Sequence, residues 1–261
     1  MRVKPKKSLG QNFLIDGNIL KKLIVCYGLK KTDRVLEIGA GLGALTKLLA
    51  QKCAFVYALE VDRSLCALLS QNVEGYANIE IINRDILKFD LDGYPGLKNK
   101  IKVVGNIPYY ITTPIIEYLF NFKDKIESVF LTVQKEFGKR IAAGPGSKEY
   151  GSFSVFVQYY AAPEIHFFIK RGSFFPRPKV DSCLVELKLR QKPQVYVKDE
   201  GLFFRIVRAA FNQRRKVLKN SLNGIVGGKT LDRFFEESGV NKNARPENLS
   251  LANFALLANQ P

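Results

Sequence analysis

From residue 34 to residue 133, short apolar runs alternate with helical patterns, and the first run ends in Gly39-Ala40-Gly41-Leu42-Gly43. No other feature limits the fold as much. Residues 34–38, 55–60, 79–83, 102–105 and 128–133 are short, apolar and bounded by turn residues, as buried strands are. Residues 44–51, 64–72 and 114–120 carry the helical patterns between them, the last with Pro114 in its first turn. This alternation predicts an α/β fold, a parallel, doubly wound sheet with helices on both faces. Upstream, Asp16 is placed to cap a helix ending near Tyr27. Downstream come an aromatic helix at 152–160 and two strand-like runs at 165–170 and 183–189, which predict an antiparallel hairpin closing the sheet edge. Residues 191–198 are polar and hold Pro193, and beyond them only helical patterns remain, at 202–212, 215–222, 231–238 and 249–258. The expected organisation is an α/β domain over 1–190 with a basic arm at 1–14, a linker at 191–198, and a small all-α domain over 199–261.

Charge narrows the partners. The chain carries 41 basic and 24 acidic residues, a net +17, which points to a polyanion and to nucleic acid first. A membrane is disfavoured, because no apolar run approaches the ~18–20 residues needed to span. The first residues are basic but lead into no apolar segment, so no signal peptide is expected. Cys26, Cys53, Cys66 and Cys183 lack CxxC spacing and read as reduced, buried thiols of a cytoplasmic protein. The single histidine, His166, sits in an alternating strand pattern and reads as a packed strand residue. No metal site is expected from this inventory.

The glycine run ends the first strand and opens a helix, where glycine lets backbone turn sharply and approach a ligand. Gly39, Gly41 and Ala44 also satisfy the dinucleotide fingerprint, so this segment alone leaves a nicotinamide cofactor and an adenosyl donor both open. Glu60 ends the second strand about 20 residues later, where an acid can accept from ribose hydroxyls. Asp85 follows the third strand and can accept from an adenine amine, with Ile86 against the ring. Asn106-Ile107-Pro108-Tyr109 follows the fourth. There the Asn106 amide oxygen and the Ile107 carbonyl are two acceptors for an exocyclic amine, Tyr109 offers a face to a flat heterocycle, and Pro108 stiffens the turn. Nothing resembling a hydride-transfer apparatus accompanies them. An amine meeting a strong methyl donor needs positioning more than a base, so methyl transfer fits this loop better.

Seven segments together resemble the ribosomal RNA adenine N6,N6-dimethyltransferases, closest to the bacterial small-subunit branch. They are Ser8-Leu9-Gly10-Gln11-Asn12-Phe13-Leu14, Leu36 to Gly43, Glu60-Val61-Asp62-Arg63, Asn106 to Ile111, Gln134-Lys135-Glu136, Phe174 to Ser182, and Phe211 to Lys216. The resemblance spans nearly the whole chain and implies a Rossmann-like class I methyltransferase with a mainly parallel seven-stranded sheet. It implies S-adenosylmethionine as cofactor, with S-adenosylhomocysteine as product. Gln11, Asn12 and Leu14 would close over it, Gly39 and Gly41 would underlie its methionine part, Glu60 with Val61 would hold the ribose, and Asp85 and Ile86 the adenine. Asn106 and Ile107 would accept from the target amine, and Tyr109 and Phe174 would stack on the target base. Ala40 stands where the family often has proline. The resemblance further implies two adjacent adenines near the 3' end of small-subunit RNA as targets and a role in subunit maturation, with the immature subunit as partner. A monomer is expected.

Between Gly201 and Leu231 there is no acidic residue and seven basic ones. Arg208, Arg214, Arg215, Lys216 and Lys219 are the expected RNA contacts, with Arg208, Arg215 and Lys219 near one face if a helix runs through them. Arg2, Lys4, Lys6 and Lys7 are a second candidate, expected to be disordered without ligand. The alternatives are a large-subunit RNA adenine methylase, and a ribosome-assembly RNA-binding factor with dispensable catalysis. A nicotinamide oxidoreductase is more distant.

Overall fold

The computed structural model describes residues 5–97 and 100–261. The described residues fall into two compact units, those up to Gly138 with 164–191, and residues 139–163 with 192–261. In the first unit a two-residue strand β1 (Phe13–Leu14) precedes α1 (Gly17–Cys26), whose N-terminus Asp16 caps by accepting from the Asn18 and Ile19 amides. The alternation then runs β2 (Arg34–Ile38), α2 (Ala44–Ala50), β3 (Phe55–Glu60), α3 (Arg63–Asn72), β4 (Ile79–Asn83), β5 (Ile101–Asn106), α4 (Thr112–Phe120), β6 (Ile126–Gln134) and α5 (Lys135–Ala142). After α6 (Ser152–Tyr160) come β7 (Ala161–Ile169), the two-residue β8 (Phe174–Phe175) and β9 (Ser182–Leu189).

Seven strands form one sheet in the order β4-β3-β2-β5-β6-β9-β7, and β1 pairs with β8 in a separate ladder. The pairings from β4 through β6 are parallel, and β9 runs antiparallel to β6. The expected parallel sheet with two late strands at its edge is therefore present. Val35, Leu36, Val56, Ala58, Val103 and Val104 are buried to within 1%, because a central parallel strand is covered on both faces.

The second unit contains α7 (Glu200–Asn212), α8 (Leu218–Ser221), α9 (Gly228–Ser238) and α10 (Leu251–Asn259). Its core also includes α6, which the sequence reading placed in the larger domain. The Tyr159 ring lies 5.2 Å from Phe203, and Phe156 lies 5.3 Å from Phe204. Six of the nine residues of α6 are apolar or aromatic and none of the nine is exposed, so the helix must be covered on most of its surface, and these rings help to cover it. Truncating the fully buried Phe203 to alanine is expected to cost about 3–5 kcal/mol. The 191–198 stretch has no regular structure but is no free linker. Val195 and Val197 pack on this core, Gln194 N donates to the Tyr159 carbonyl, and Lys198 N donates to Asn259 Oδ1.

The second helix expected at 215–222 is confined to α8, because α7 ends at Asn212 and a turn follows. Residues 5–14 are ordered against the first unit, contrary to the expectation for the arm. Arg2 and Lys4 lie outside the described residues. Cys53 and Cys183 are buried as expected, but Cys26 and Cys66 are only half-buried. His166 sits in β7 with Nε2 2.8 Å from Glu186 Oε2. Glu164, His166 and Glu186 bring possible ligand atoms together, but Lys188 Nζ already lies 2.6 Å from Glu164 and 3.8 Å from Glu186. No helix among the described residues is long and apolar enough to cross a membrane.

Candidate active site

Register brings the expected site residues to one edge. Ile38 is level with Leu59 on one side and with Gly105 on the other, and Glu60 is level with Asn83. The residues that follow each strand therefore meet outside its C-terminal end. A Cβ on Gly105 would sit 2.9 Å from the Ile38 carbonyl, so a glycine is required for β5 to lie against β2 immediately before Asn106. At the end of β2, Gly39 and Gly41 adopt φ of +77° and +58°, a region costly to other residues. A Cβ on Gly41 would press on the Phe13 ring at 3.3 Å. Gly39, Gly41, Glu60, Val61, Asp85, Ile86, Asn106, Ile107, Pro108 and Tyr109 line one cleft, and Gln11 and Asn12 of the arm line it too.

The carboxylate of Glu60 accepts from the Gly41 amide and from the Asp62 amide, each at 2.9 Å. Those bonds tie the glycine turn to the end of β3. Burial raises the pKa of Glu60, and the two amide bonds oppose that shift. Asn83 Nδ2 donates to the carbonyls of Glu60 and Val61, so β3 and β4 end in a fixed relation. Asp85 caps the turn that begins at Ile86 by accepting from the Leu87 amide.

Asp62 performs two tasks. It caps α3 through the Ser64 amide, and it receives the arm: Lys6 Nζ donates at 2.7 Å and Gln11 Nε2 at 3.0 Å. Burial works to raise this carboxyl, but the Lys6, Ser64 and Gln11 bonds prevail and hold it well below the usual range. The Lys6 amide in turn donates to Gln11 Oε1 at 2.8 Å.

At the end of β5, Asn106 Nδ2 donates to the Asn12 carbonyl at 2.8 Å. That bond assigns the amide's nitrogen end to the arm and leaves Oδ1 as its acceptor. Pro108 sets an extended step (φ −60°, ψ 133°) into the short turn that begins at Tyr109. Thr112 Oγ1 donates to the Tyr109 carbonyl, and the Tyr109 hydroxyl lies 2.7 Å from Ser182 Oγ.

Two expected site residues are not in the cleft. Leu14 is 7% exposed and belongs to the apolar core, lining a second cavity behind the glycine turn. Phe174 is 3% exposed and packs in the same core, so its ring faces inward rather than toward a base. The alternation of β8 explains this, because when Phe174 points inward its neighbour Phe175 points out, and it is 56% exposed. Conversely, Phe13 and Arg84 line the cleft without having been singled out for it. Glu37 is a further functional candidate that the sequence motifs do not single out. Burial pushes its carboxyl up to about 8, and Oε2 has no hydrogen-bond partner among the described residues. It lines the second cavity with Gly39, Gly41 and Asn106. An acid inside an apolar strand was the available signal.

The expected RNA contacts divide. Arg208, Arg215, Lys216 and Lys219 are exposed, on α7, the following turn and α8. They do not share one helix, because α7 stops at Asn212. Arg214 is taken up internally. Its Nε donates to Glu247 at 2.6 Å, and its Nη2 donates to the carbonyls of Ser147 and Lys148.

A model of the family described as ribosomal RNA adenine dimethylase matches residues 2–260. Two relatives named ribosomal RNA small subunit methyltransferase A match nearly the whole chain. That of Clostridium botulinum (strain Loch Maree / Type A3) is 43% identical over 97% of this chain and 92% of its own. That of Lachnoclostridium phytofermentans is 45% identical over 97% and 90%. Among solved structures, a dimethyladenosine transferase from Plasmodium falciparum superimposes with a TM-score of 0.81 at 26% identity, covering 94% of this chain and 95% of that one. The 23S rRNA methyltransferase ErmE does so with 0.76 at 25% identity, covering 94% and 97%.

Proposed function

The chain belongs to the ribosomal RNA adenine dimethylase family, and from that premise we propose that it converts adenines of small-subunit ribosomal RNA to N6,N6-dimethyladenosine with S-adenosylmethionine as methyl donor. The observation that carries this reading is the Asn106 amide, oriented by the Asn12 carbonyl so that Oδ1 accepts. The donor fits the residues present. Gly39 and Gly41 hold backbone that a side chain would obstruct or strain, Glu60 offers a buried acceptor at the strand end, and the orphaned Glu37 oxygen lies behind the turn. Gly39 and Gly41 would receive the methionine part, Glu60 and Val61 the ribose, and Asp85 and Ile86 the adenine. When bound, S-adenosylmethionine supplies an electrophilic methyl group.

The protein's own part is orientation. The lone pair of an adenine N6 is delocalised into the ring, which makes it a weak nucleophile. Hydrogen bonds from its N–H groups to Asn106 Oδ1 and the Ile107 carbonyl draw the nitrogen toward tetrahedral geometry and localise that pair. The same two acceptors stabilise the positive charge that grows on nitrogen, the cationic counterpart of an oxyanion hole. The methylated nitrogen is acidic enough to release its proton to water, so no side-chain base is required. Tyr109 supplies the stacking face, and a stacked base is worth about 1–3 kcal/mol. The target base must leave its own stack or start unpaired to reach such a cleft. The exposed cations of the second unit add affinity for the phosphate backbone without reading sequence. Such an enzyme works on the immature small subunit, in the cytoplasm.

ErmE gives the large-subunit reading a structural relative at 25% identity. The small-subunit reading is favoured by 43–45% identity to relatives matched over 90–92% of their own length. The test is labelled methyl transfer to undermethylated small and large subunits, followed by nucleoside analysis. Label in N6,N6-dimethyladenosine of small-subunit RNA is the expected result. Label confined to the large subunit, or none while the subunit still matures, would overturn it.

A further inference from the structure

We propose that Ser182 is a positioning residue for the target base, acting through Tyr109. The inference rests on the reading of Tyr109 as the surface on which the adenine stacks. Ser182 opens β9 level with Gln134 of β6 and is fully buried. Its Oγ lies 2.7 Å from the Tyr109 hydroxyl. The residue before it is anchored twice: the Asp181 carbonyl accepts from Lys135 N at 3.0 Å, and the Asp181 carboxylate accepts from Arg171 N at 3.0 Å. The serine therefore stands on a strand end that cannot drift. At its other end Tyr109 is held by Thr112 Oγ1, which donates to the Tyr109 carbonyl at 3.1 Å. Main chain and ring tip are both fixed.

The χ2 well of an aromatic ring is broad, so a tyrosine held only at its backbone would rock, and a base stacked on it would rock too. Methyl transfer depends on alignment, and a single bond at the ring tip removes that freedom. Burial raises the phenol's pKa, with the Ser182 bond only partly opposing it, so the hydroxyl stays protonated and able to donate. The demand is greatest at the second methylation. The monomethylated amine has one N–H left for two acceptors, and the ring platform then carries more of the orientation. Loss of the Tyr109–Ser182 bond should therefore impair the second transfer more than the first.

The experiment measures mono- and dimethyladenosine made on undermethylated small subunits by Ser182→Ala, Tyr109→Phe and the double variant. Each single change should lower dimethyladenosine formation about three- to tenfold, the size of one neutral hydrogen bond, and raise the monomethyl share. Donor affinity should not change. The double variant should be no worse than either single one, because both remove the same bond. Tyr109→Phe keeps the ring, so the answer is readable even if Ser182→Ala does not fold. Wild-type product ratios in both single variants, or losses that multiply in the double, would overturn the inference. Tyr109→Ala tells the two failures apart. Normal turnover there defeats the stacking reading itself, whereas an inactive Tyr109→Ala beside a normal Tyr109→Phe defeats only the role of Ser182.

Discussion

In the cleft of the first unit, polar side chains hold one another. Asn106 is tied to Asn12, Glu60 to the Gly41 and Asp62 amides, Asp62 to Lys6 and Gln11, and Tyr109 to Ser182. On the surface of the second unit, Arg208, Arg215, Lys216 and Lys219 stand exposed, and among the described residues none of them forms an ion pair. On the proposed function, the contrast follows from two kinds of work. Aligning an amine needs a preorganised geometry, and each bond among the cleft residues removes a wrong conformer. Gripping a phosphate backbone needs charge density, which mobile and hydrated cations supply without a fixed pose. Arg214 crosses the division, because it is a cation in the basic stretch but is bonded like a cleft residue.

The contrast can be broken most sharply at Asn106. Asn106→Ala removes the proposed acceptor for the amine and a tie to the arm, and methyl transfer should fall about 100- to 1,000-fold, measured as initial rate on undermethylated subunits. Donor affinity, by calorimetry, should fall much less. Equal losses in both would make Asn106 a cofactor ligand only.

Arg214 and Arg215 sharpen it next. Arg214→Ala leaves Glu247 and two carbonyls without their donor and should cost about 2 kcal/mol of stability. Arg215→Ala should leave the denaturation midpoint unchanged and weaken RNA binding. Matching effects from the two neighbours would erase the distinction drawn here.

Glu37 tests the cleft from beneath. Its folded pKa, about 8, lies above the ordinary 4.5. Between those values the folded state holds a proton that the unfolded chain has released, so stability falls as pH rises through that window. Glu37→Gln should flatten this part of the curve and raise the melting temperature near about pH 8 more than near about pH 5. An unchanged slope would show that Glu37 ionises freely in the fold.

The smallest effects belong to the single surface cations. Arg208→Ala, Lys216→Ala and Lys219→Ala should each weaken RNA binding modestly and lower the salt slope by about one, read from titrations at several ionic strengths. A loss of more than about 3 kcal/mol from any one of them, on the scale of a specific base contact, would mean that the surface reads geometry after all.

The fold was legible because its signals are local and periodic. A short apolar strand covered on both faces must read as a continuous apolar run, and the five predicted parallel strands lie where the runs are. The cleft was legible for a related reason. In a parallel sheet the residues after each strand end converge, so Gly39, Glu60, Asp85 and Asn106 could be brought together from spacing alone. The burial of Phe174 was not legible because two adjacent phenylalanines on a strand face opposite ways, and the sequence does not say which faces in. Arg214 was counted among the RNA contacts because it lies in a basic run without acids, and the sequence does not show that Glu247, 33 residues on, is brought against its guanidinium. Residues 139–163 were assigned to the wrong unit because a contiguous stretch of sequence need not pack with its neighbours.

Sequence by itself therefore determined the sheet, the glycine turn, the Asn106 to Tyr109 loop and the excess of positive charge, all of them written in residue type and short spacing. Tertiary structure alone decided which side chains hold which. Lys6 meets Asp62 across 56 residues, Asn106 meets Asn12 across 94, and Tyr109 meets Ser182 across 73. Hydrogen bonds are short and directional, and such pairs exist only once the whole chain has closed around them.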